Sequence, residues 1–217
     1  MKTVYLFSNF DNNTGFPKEI GDCIKKDLLV YESLVFISSS PLGYDASDFY
    51  SNVNKNWFST IGINFRKCYL LDNRIERNRS IDLLKNASCI FLMGGRTREQ
   101  IKYVNENNFM KPLQNYNGVI MGISAGAINL SINSLSFGRS ENEETTIMYN
   151  GIGITEKIIF PHFDINGEEN NEIKEYSKDH CIYGLCDYSA IIEKGNDTKL
   201  IGEIYKIHNR KIDKISG

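Results

Sequence analysis

The stretch GVIMGISAGAINL at residues 118–130 decides how the rest of the sequence is interpreted. An apolar segment leads into a G-x-S-x-G pattern at residues 122–126, and a helix-like AINL follows. A strand, a tight turn and a helix in succession predict an α/β sheet with Ser124 on the turn. Small neighbours let such a side chain project, and the helix directs amide N–H groups at it. An ordinary strand-to-helix turn has the same pattern, so both interpretations stay open here.

Upstream of this stretch, short apolar strands alternate with helices. We predict strands at residues 3–8, 34–38, 65–71, 89–93 and 118–123, and helices at residues 17–29, 47–61, 80–87 and 97–107. Strands that are apolar along their whole length are covered on both faces, as in a parallel sheet. The sequence therefore predicts a doubly wound, mostly parallel, flavodoxin-like α/β sheet sandwiched by helices. We expect residues 157–160, 189–193 and 199–207 to extend that sheet.

Composition limits the classes of function. The 217 residues suit a single domain over residues 1–217, with 41% hydrophobic and 24% charged residues. A net charge of −2 gives no reason to expect a nucleic-acid partner, and no apolar run is long enough to predict a membrane span or a signal peptide. Five scattered cysteines favour a reducing, cytoplasmic location, and none lies at the serine turn. We expect a monomer or a homodimer.

A second unusual loop, Gly94-Gly95-Arg96-Thr97, directly follows the strand CIFLM. Paired glycines often form a simple turn, but here they follow a strand that is expected to neighbour the Ser124 strand. One of their amides, together with that of Ala125, could form an oxyanion hole of two backbone donors. We expect Gly94, Arg96 and Thr97 to bind substrate, with the Arg96 guanidinium, or that of Arg98 or Arg139, pairing with a carboxylate.

A serine nucleophile needs a base, and the sequence contains only His162, His180 and His208. His162 follows the apolar segment KIIF and so lies at the end of a predicted strand. His180 follows a highly polar helix, and His208 lies in a charged KIHNRK hairpin. Position therefore favours His162.

An acid must orient the histidine. The cluster Glu141-Asn142-Glu143-Glu144 lies between Ser124 and His162 in the sequence, although such clusters are commonly solvated. Asp164 is a weaker candidate, because its side chain points elsewhere if the strand continues.

Five segments together resemble the peptidase E and cyanophycinase family of serine peptidases, which includes aspartyl dipeptidase. They are MGGRT (93–97), GISAGA (122–127), NGIGI (150–154), FPHFD (160–164) and LCDYSAI (185–191). Their order and spacing hold from about Val4 to Ile192, and the combination is far more specific than any one motif.

The resemblance implies a fold similar to class I glutamine amidotransferases and a peptide or related amide substrate. We expect no cofactor, and no metal, because no C-x-x-C pair accompanies His180, Cys181, Cys186 and Asp187. It implies Ser124 as nucleophile, His162 as base, and the Gly95 and Ala125 amides as oxyanion donors. The family's acid follows the serine by 15 to 20 residues, so we choose Glu141, with Glu143 and Glu144 as alternatives. Arg96 and the lack of arginine after the histidine depart from the family, which weakens the inference of a dipeptidase with an acidic preference.

Two other functions are weighed. An α/β-hydrolase esterase would use Ser124, Asp187 and His208 in that chain order. Only 93 residues follow the serine, however, which is short for that fold. A binding module that kept the fold and lost catalysis is the other possibility, and the intact serine and histidine argue against it.

Overall fold

The computed structural model describes residues 1–138 and 146–217. Strands and helices alternate through the first part of the chain: β1 (Thr3–Phe7), α1 (Lys18–Asp27), β2 (Ser33–Ile37), α2 (Tyr44–Thr60), β3 (Lys67–Leu71), α3 (Arg77–Lys85), β4 (Cys89–Leu92), α4 (Thr97–Glu106), α5 (Met110–Asn115), β5 (Val119–Ile123) and α6 (Ala125–Leu130). Strands predominate afterwards: β6 (Asn133–Ser136), β7 (Ile147–Asn150), β8 (Ile158–Pro161), α7 (Asn170–Tyr176), β9 (Ile182–Leu185), β10 (Ala190–Lys194), β11 (Asp197–Ile201), β12 (Ile204–His208) and β13 (Lys211–Ser216).

Within the described residues, the central sheet has seven strands in the order β11-β10-β1-β5-β4-β2-β3. The five strands from β1 to β3 in this order are parallel, and β10 and β11 join antiparallel at one edge. This arrangement confirms the predicted doubly wound, mostly parallel α/β sheet.

Two apolar layers cover the two faces of this sheet, because successive side chains of a strand point to opposite sides. In β1, Tyr5 and Phe7 pack in one layer with residues of α1 and α2. Val4 and Leu6 pack in the other layer, with residues of α3 and α4. Burial on both faces explains why β1 reads as a continuous apolar run.

The predicted strands and helices up to Ile123 are present, with ends shifted by a few residues. Helix α2 begins at Tyr44, three residues earlier than expected. The short helix α5 was not predicted, since Pro112 disfavours a helix interior. Proline is tolerated there because it lies in the first turn, where its missing N–H has no helical partner.

The prediction that all later strands extend the central sheet is wrong. Strand β10 does so, but β8 belongs to a second sheet, ordered β13-β12-β9-β8, in the described part of the chain. The stretch predicted as one strand at residues 199–207 is divided between β11 in the central sheet and β12 in the second. Gly202 lies at this break, where its φ of +77° turns the chain. Only glycine fits there, because a Cβ would lie 2.9 Å from the Cα of Ser189.

Helix α6 lies where the two sheets meet. All six of its residues are buried. The helix contacts β4 and β5 of the central sheet and β8 of the second sheet. The residue before it, Ser124, is therefore held beside the end of β8.

Candidate active site

The turn between β5 and α6 has an uncommon backbone conformation at Ser124. Its φ is +49°, a left-handed value that non-glycine residues rarely adopt. The flanking glycines are required by space: a Cβ on Gly122 would lie 2.6 Å from the backbone of Gly126, and one on Gly126 would lie 2.2 Å from the carbonyl oxygen of Leu92. The G-x-S-x-G pattern thus reflects close packing of the turn against β4, with the serine side chain projecting from it.

The glycine pair after β4 lies against this turn, as predicted, because β4 and β5 are adjacent parallel strands. The Cβ position of Gly94 is 3.4 Å from the Cβ of Ser124. Gly95 has a φ of +129° and lines both cavities next to the serine. Among the described residues, the N–H groups of Gly95 and Ala125 make no hydrogen bond. They are therefore free to bind a ligand at Ser124.

His162 reaches the serine from the second sheet. It directly follows β8, and its φ of +56° turns the chain away from the strand. Its Nε2 lies 3.0 Å from Oγ of Ser124. This is the contact that the sequence predicted between a strand-end histidine and the serine turn.

Asp187 contacts the other ring nitrogen of this histidine. Oδ1 of Asp187 lies 2.9 Å from Nδ1 of His162. An ionised carboxylate only accepts hydrogen bonds, so Nδ1 carries the proton and Nε2 is left to accept from the Ser124 hydroxyl. The hydrogen bond from His162 holds the pKa of the Asp187 carboxyl below its ordinary value, while partial burial opposes that shift.

Ser8, at the carboxyl end of β1, joins these two residues. Its hydroxyl donates to Oδ1 of Asp187 at 2.8 Å and accepts the backbone N–H of His162 at 2.7 Å. The hydrogen bond from Ser8 also lowers the pKa of Asp187. Because Ser8 is fully buried, its hydroxyl holds the His162 backbone, which has a positive φ, and the Asp187 carboxylate in a fixed relative position.

Of the acids predicted to orient His162, the structure describes only Asp164. Glu141, Glu143 and Glu144 lie outside the described residues, as does Arg139. The Asp164 carboxylate accepts the backbone N–H of Asn166 instead. The esterase alternative pairs Asp187 with His208, but Nδ1 of His208 lies 3.4 Å from the His180 carbonyl oxygen. The structure thus brings Asp187 to His162 rather than to His208.

Strand pairing places Asp187 beside His162. It lies two residues beyond β9, and β9 pairs in parallel with β8 so that Leu185 is opposite Pro161. Residues just after adjacent parallel strands meet at one sheet edge. The pairing of β8 with β9 was not visible in the sequence, however.

Two cavities flank Ser124. The smaller, of about 190 Å³, is lined by Arg96, Thr97 and Phe137 besides the serine and histidine. The larger, of about 340 Å³, is lined on its far side by α2 and the loop after β1. A third cavity, of about 1090 Å³, lies at the amino ends of β1 and β5, beside Thr3 and Val119. Its size does not make it the site, because Ser124 and His162 do not line it.

Arg96, predicted to bind a carboxylate, is already paired with one. Its Nη1 lies 2.6 Å from Oε1 of Glu99, and its side chain is about half exposed. Thr97 is buried at the start of α4, where its carbonyl oxygen accepts from the Asn129 amide. Both residues line the smaller cavity with Gly95, whereas Gly94 lines the larger one.

Neither a membrane nor a metal site is indicated within residues 1–138 and 146–217. No helix there has the length and apolar character needed to cross a bilayer. Those residues also contain no group of three or more His, Cys, Asp or Glu side chains that could hold a metal ion.

A serine on a strand-to-helix turn, hydrogen-bonded to a histidine at the edge of an α/β sheet, is the arrangement of serine hydrolases. Residues 7–201 match the sequence model of peptidase family S51. The chain belongs to this family and is a serine-type peptidase. No curated protein sequence matches it significantly.

Two crystal structures have a similar fold. One is a peptidase from an acI-B1 Actinobacterium, with a TM-score of 0.71 and 16% identity, over 100% of this chain and 94% of that one. The other is a peptidase E-type protein from Listeria monocytogenes EGD-e, with a TM-score of 0.69 and 18% identity, over 93% of this chain and 100% of that one. At these sequence identities, the similarity is evidence of a shared fold alone.

Proposed function

We propose that Ser124, His162 and Asp187 form a catalytic triad that hydrolyses an amide bond of a short peptide. The observation that carries this proposal is the chain of two hydrogen bonds, 3.0 Å from Ser124 to His162 and 2.9 Å from His162 to Asp187. The proposal replaces Glu141 with Asp187 as the orienting acid. It keeps the nucleophile and the base that the sequence predicted.

Acylation begins when Nε2 of His162 takes the hydroxyl proton as Ser124 Oγ attacks the substrate carbonyl carbon. The ionised Asp187 stabilises the imidazolium that forms and keeps Nδ1 protonated. His162 then donates its proton to the leaving amine. Water, deprotonated by the same histidine, then attacks the acyl carbon, and His162 returns the proton to Ser124 Oγ as the acyl group leaves.

The negative oxygen of the tetrahedral intermediate needs hydrogen-bond donors. We assign this role to the N–H groups of Gly95 and Ala125, which make no hydrogen bond with other described residues. Ala125 opens helix α6, and the start of a helix favours negative charge. Each such donor typically lowers the barrier by about 3 kcal/mol.

The experiment that tests the triad compares wild type with Ser124→Ala on a dipeptide panel. We expect turnover to fall by several orders of magnitude while the circular dichroism spectrum stays unchanged. A fluorophosphonate probe should label wild type at Ser124 and leave the variant unlabelled. Wild-type hydrolysis by the variant would exclude Ser124 as the nucleophile.

An acidic preference is a narrower candidate, favoured by the position of Arg96 in the smaller cavity. The Glu99 carboxylate already offsets part of the guanidinium charge, so we expect a modest preference for acidic over neutral dipeptides, about tenfold or less. Arg96→Gln should abolish that preference without changing turnover of neutral substrates. Unchanged selectivity in the variant would exclude this role for Arg96.

A further inference from the structure

We propose that the larger cavity beside Ser124 is a subsite for a carboxamide, such as the side chain of asparagine or glutamine in the peptide substrate. The inference rests on the proposed function, because it places that group next to the reacting serine. It concerns the cavity that Arg96 does not line.

The first argument is a buried amide that faces this cavity. Asn54 on α2 lines the cavity and is only 4% exposed. Within residues 1–138 and 146–217 its side chain makes no hydrogen bond, and its amide atoms are not among the fully buried unpaired ones, so they are accessible from the cavity. Buried polar side chains in native proteins are nearly always paired. The Asn54 amide is therefore positioned to pair with a ligand in the cavity.

The second argument is the neutral lining of the cavity. Among the described residues that form it, none is Asp, Glu, Lys or Arg. Asn12 and Asn9, whose side chain also hydrogen-bonds to Asp187, lie in the lining, and Tyr50 and Trp57 supply aromatic surface. A substrate carboxylate or ammonium group would enter without an opposite charge, which is costly away from water. A neutral polar group avoids this cost of removing a charge from water.

The third argument is hydrogen-bond complementarity. The Asn54 carboxamide offers both N–H donors and a carbonyl acceptor, so another carboxamide can satisfy both at once. A carboxylate has acceptors only and would face the Asn54 carbonyl oxygen unfavourably. An aliphatic side chain of similar shape satisfies neither group and leaves the amide buried and unpaired.

The fluorescence of Trp57 measures directly whether a ligand occupies the larger cavity. Trp57 is the only tryptophan in the sequence. Its indole N–H donates to the carbonyl oxygen of Asn12 at 3.2 Å, and its ring lies in the wall of the cavity. Filling the cavity should therefore change the Trp57 emission.

The kinetic test uses dipeptides that differ only in one residue, Asn, Asp or Leu, placed in turn on either side of the scissile bond. These three side chains have similar shapes. For one of the two positions, we expect wild type to favour Asn over Asp and Leu by about 10- to 100-fold in kcat/KM. Asn54→Leu should remove that preference by slowing the Asn substrate alone. The control Asn56→Leu, at an exposed position of α2, should keep it.

A binding test separates this inference from the triad. The Ser124→Ala variant is titrated with the same dipeptides while Trp57 fluorescence is followed, so no catalysis is needed. Tighter binding of the Asn dipeptide supports the subsite even if the triad assignment fails. Equal binding and equal kcat/KM for all three side chains would overturn the carboxamide subsite. Ser124-dependent hydrolysis of the Leu dipeptide would in that case still support the proposed function. The wild-type comparison is decisive even if Asn54→Leu does not fold.

Discussion

The central sheet and the smaller sheet contribute different parts of the candidate site. The central sheet supplies Ser124, Gly95 and Ser8 from the ends of three adjacent parallel strands. The smaller sheet supplies His162 and Asp187 from the ends of β8 and β9. Ser124 and His162 are thus held by separate sheets. Their packing on each other, rather than either sheet alone, sets the 3.0 Å contact between them.

The largest expected effect distinguishes the role of His162 from that of His208, the other histidine compared in the smaller sheet. His162→Ala should lower kcat by about 10⁴- to 10⁶-fold, because no other side chain in the described part of the chain is hydrogen-bonded to the Ser124 hydroxyl. His208→Ala serves as the matched control and should stay near wild type, since His208 lies beside His180 instead. The measurement is steady-state kcat on one dipeptide. The opposite ranking would support the esterase triad of Ser124, Asp187 and His208.

The next largest effect tests whether Asp187 or Glu141 is the acid that orients His162. Asp187→Asn should lower kcat by about 10²- to 10⁴-fold, because an amide can donate to Nδ1 and favour the wrong tautomer of His162. Glu141→Gln should leave kcat within a few-fold of wild type. A severe loss in Glu141→Gln with an active Asp187→Asn would restore the acid predicted from sequence.

The smallest effect concerns Ser8, which joins the sheets. Ser8→Ala should lower kcat by about tenfold with little change in KM, because the hydroxyl orients Asp187 and His162 without touching substrate. Ser177→Ala is a matched control: Ser177 is also fully buried, and its hydroxyl likewise donates one hydrogen bond and accepts a backbone N–H. Equal losses of kcat in both variants would indicate only a structural role for Ser8.

The same variant has a pH signature. The hydrogen bond from Ser8 lowers the pKa of Asp187, so the ionised carboxylate stabilises the fold above its unfolded pKa, and this contribution is lost as the pH falls through the folded pKa. Removing the bond raises the folded pKa. Acid unfolding of Ser8→Ala should therefore begin at a higher pH than in wild type, as followed by circular dichroism.

The sequence predicted best what depends on neighbouring residues. Strands β1 to β5 were visible because each is a short apolar run, and Ser124 was visible because its glycines are fixed by local packing of the turn. His162 was found because it directly follows an apolar strand. Each of these signals lies within about ten residues of sequence.

Three features depend on contacts between distant residues and were missed. Asp187 meets His162 only through the parallel pairing of β8 with β9. The division of residues 199–207 between two sheets depends on how Gly202 packs against Ser189. Asn54 lies on a helix with several asparagines, and only the folded structure distinguishes the one that is buried. No pattern within those segments carries this information.

The short connection at Gly202, between strands of different sheets, also has a kinetic consequence. Strand β11 ends in the central sheet at Ile201 and β12 begins in the smaller sheet at Ile204, so two residues tether the sheets to each other. With α6 buried between them, the sheets have little freedom to slide apart. The serine and the histidine are then aligned before a ligand arrives. Acylation by a fluorophosphonate should accordingly follow a single exponential, without a lag for domain closure.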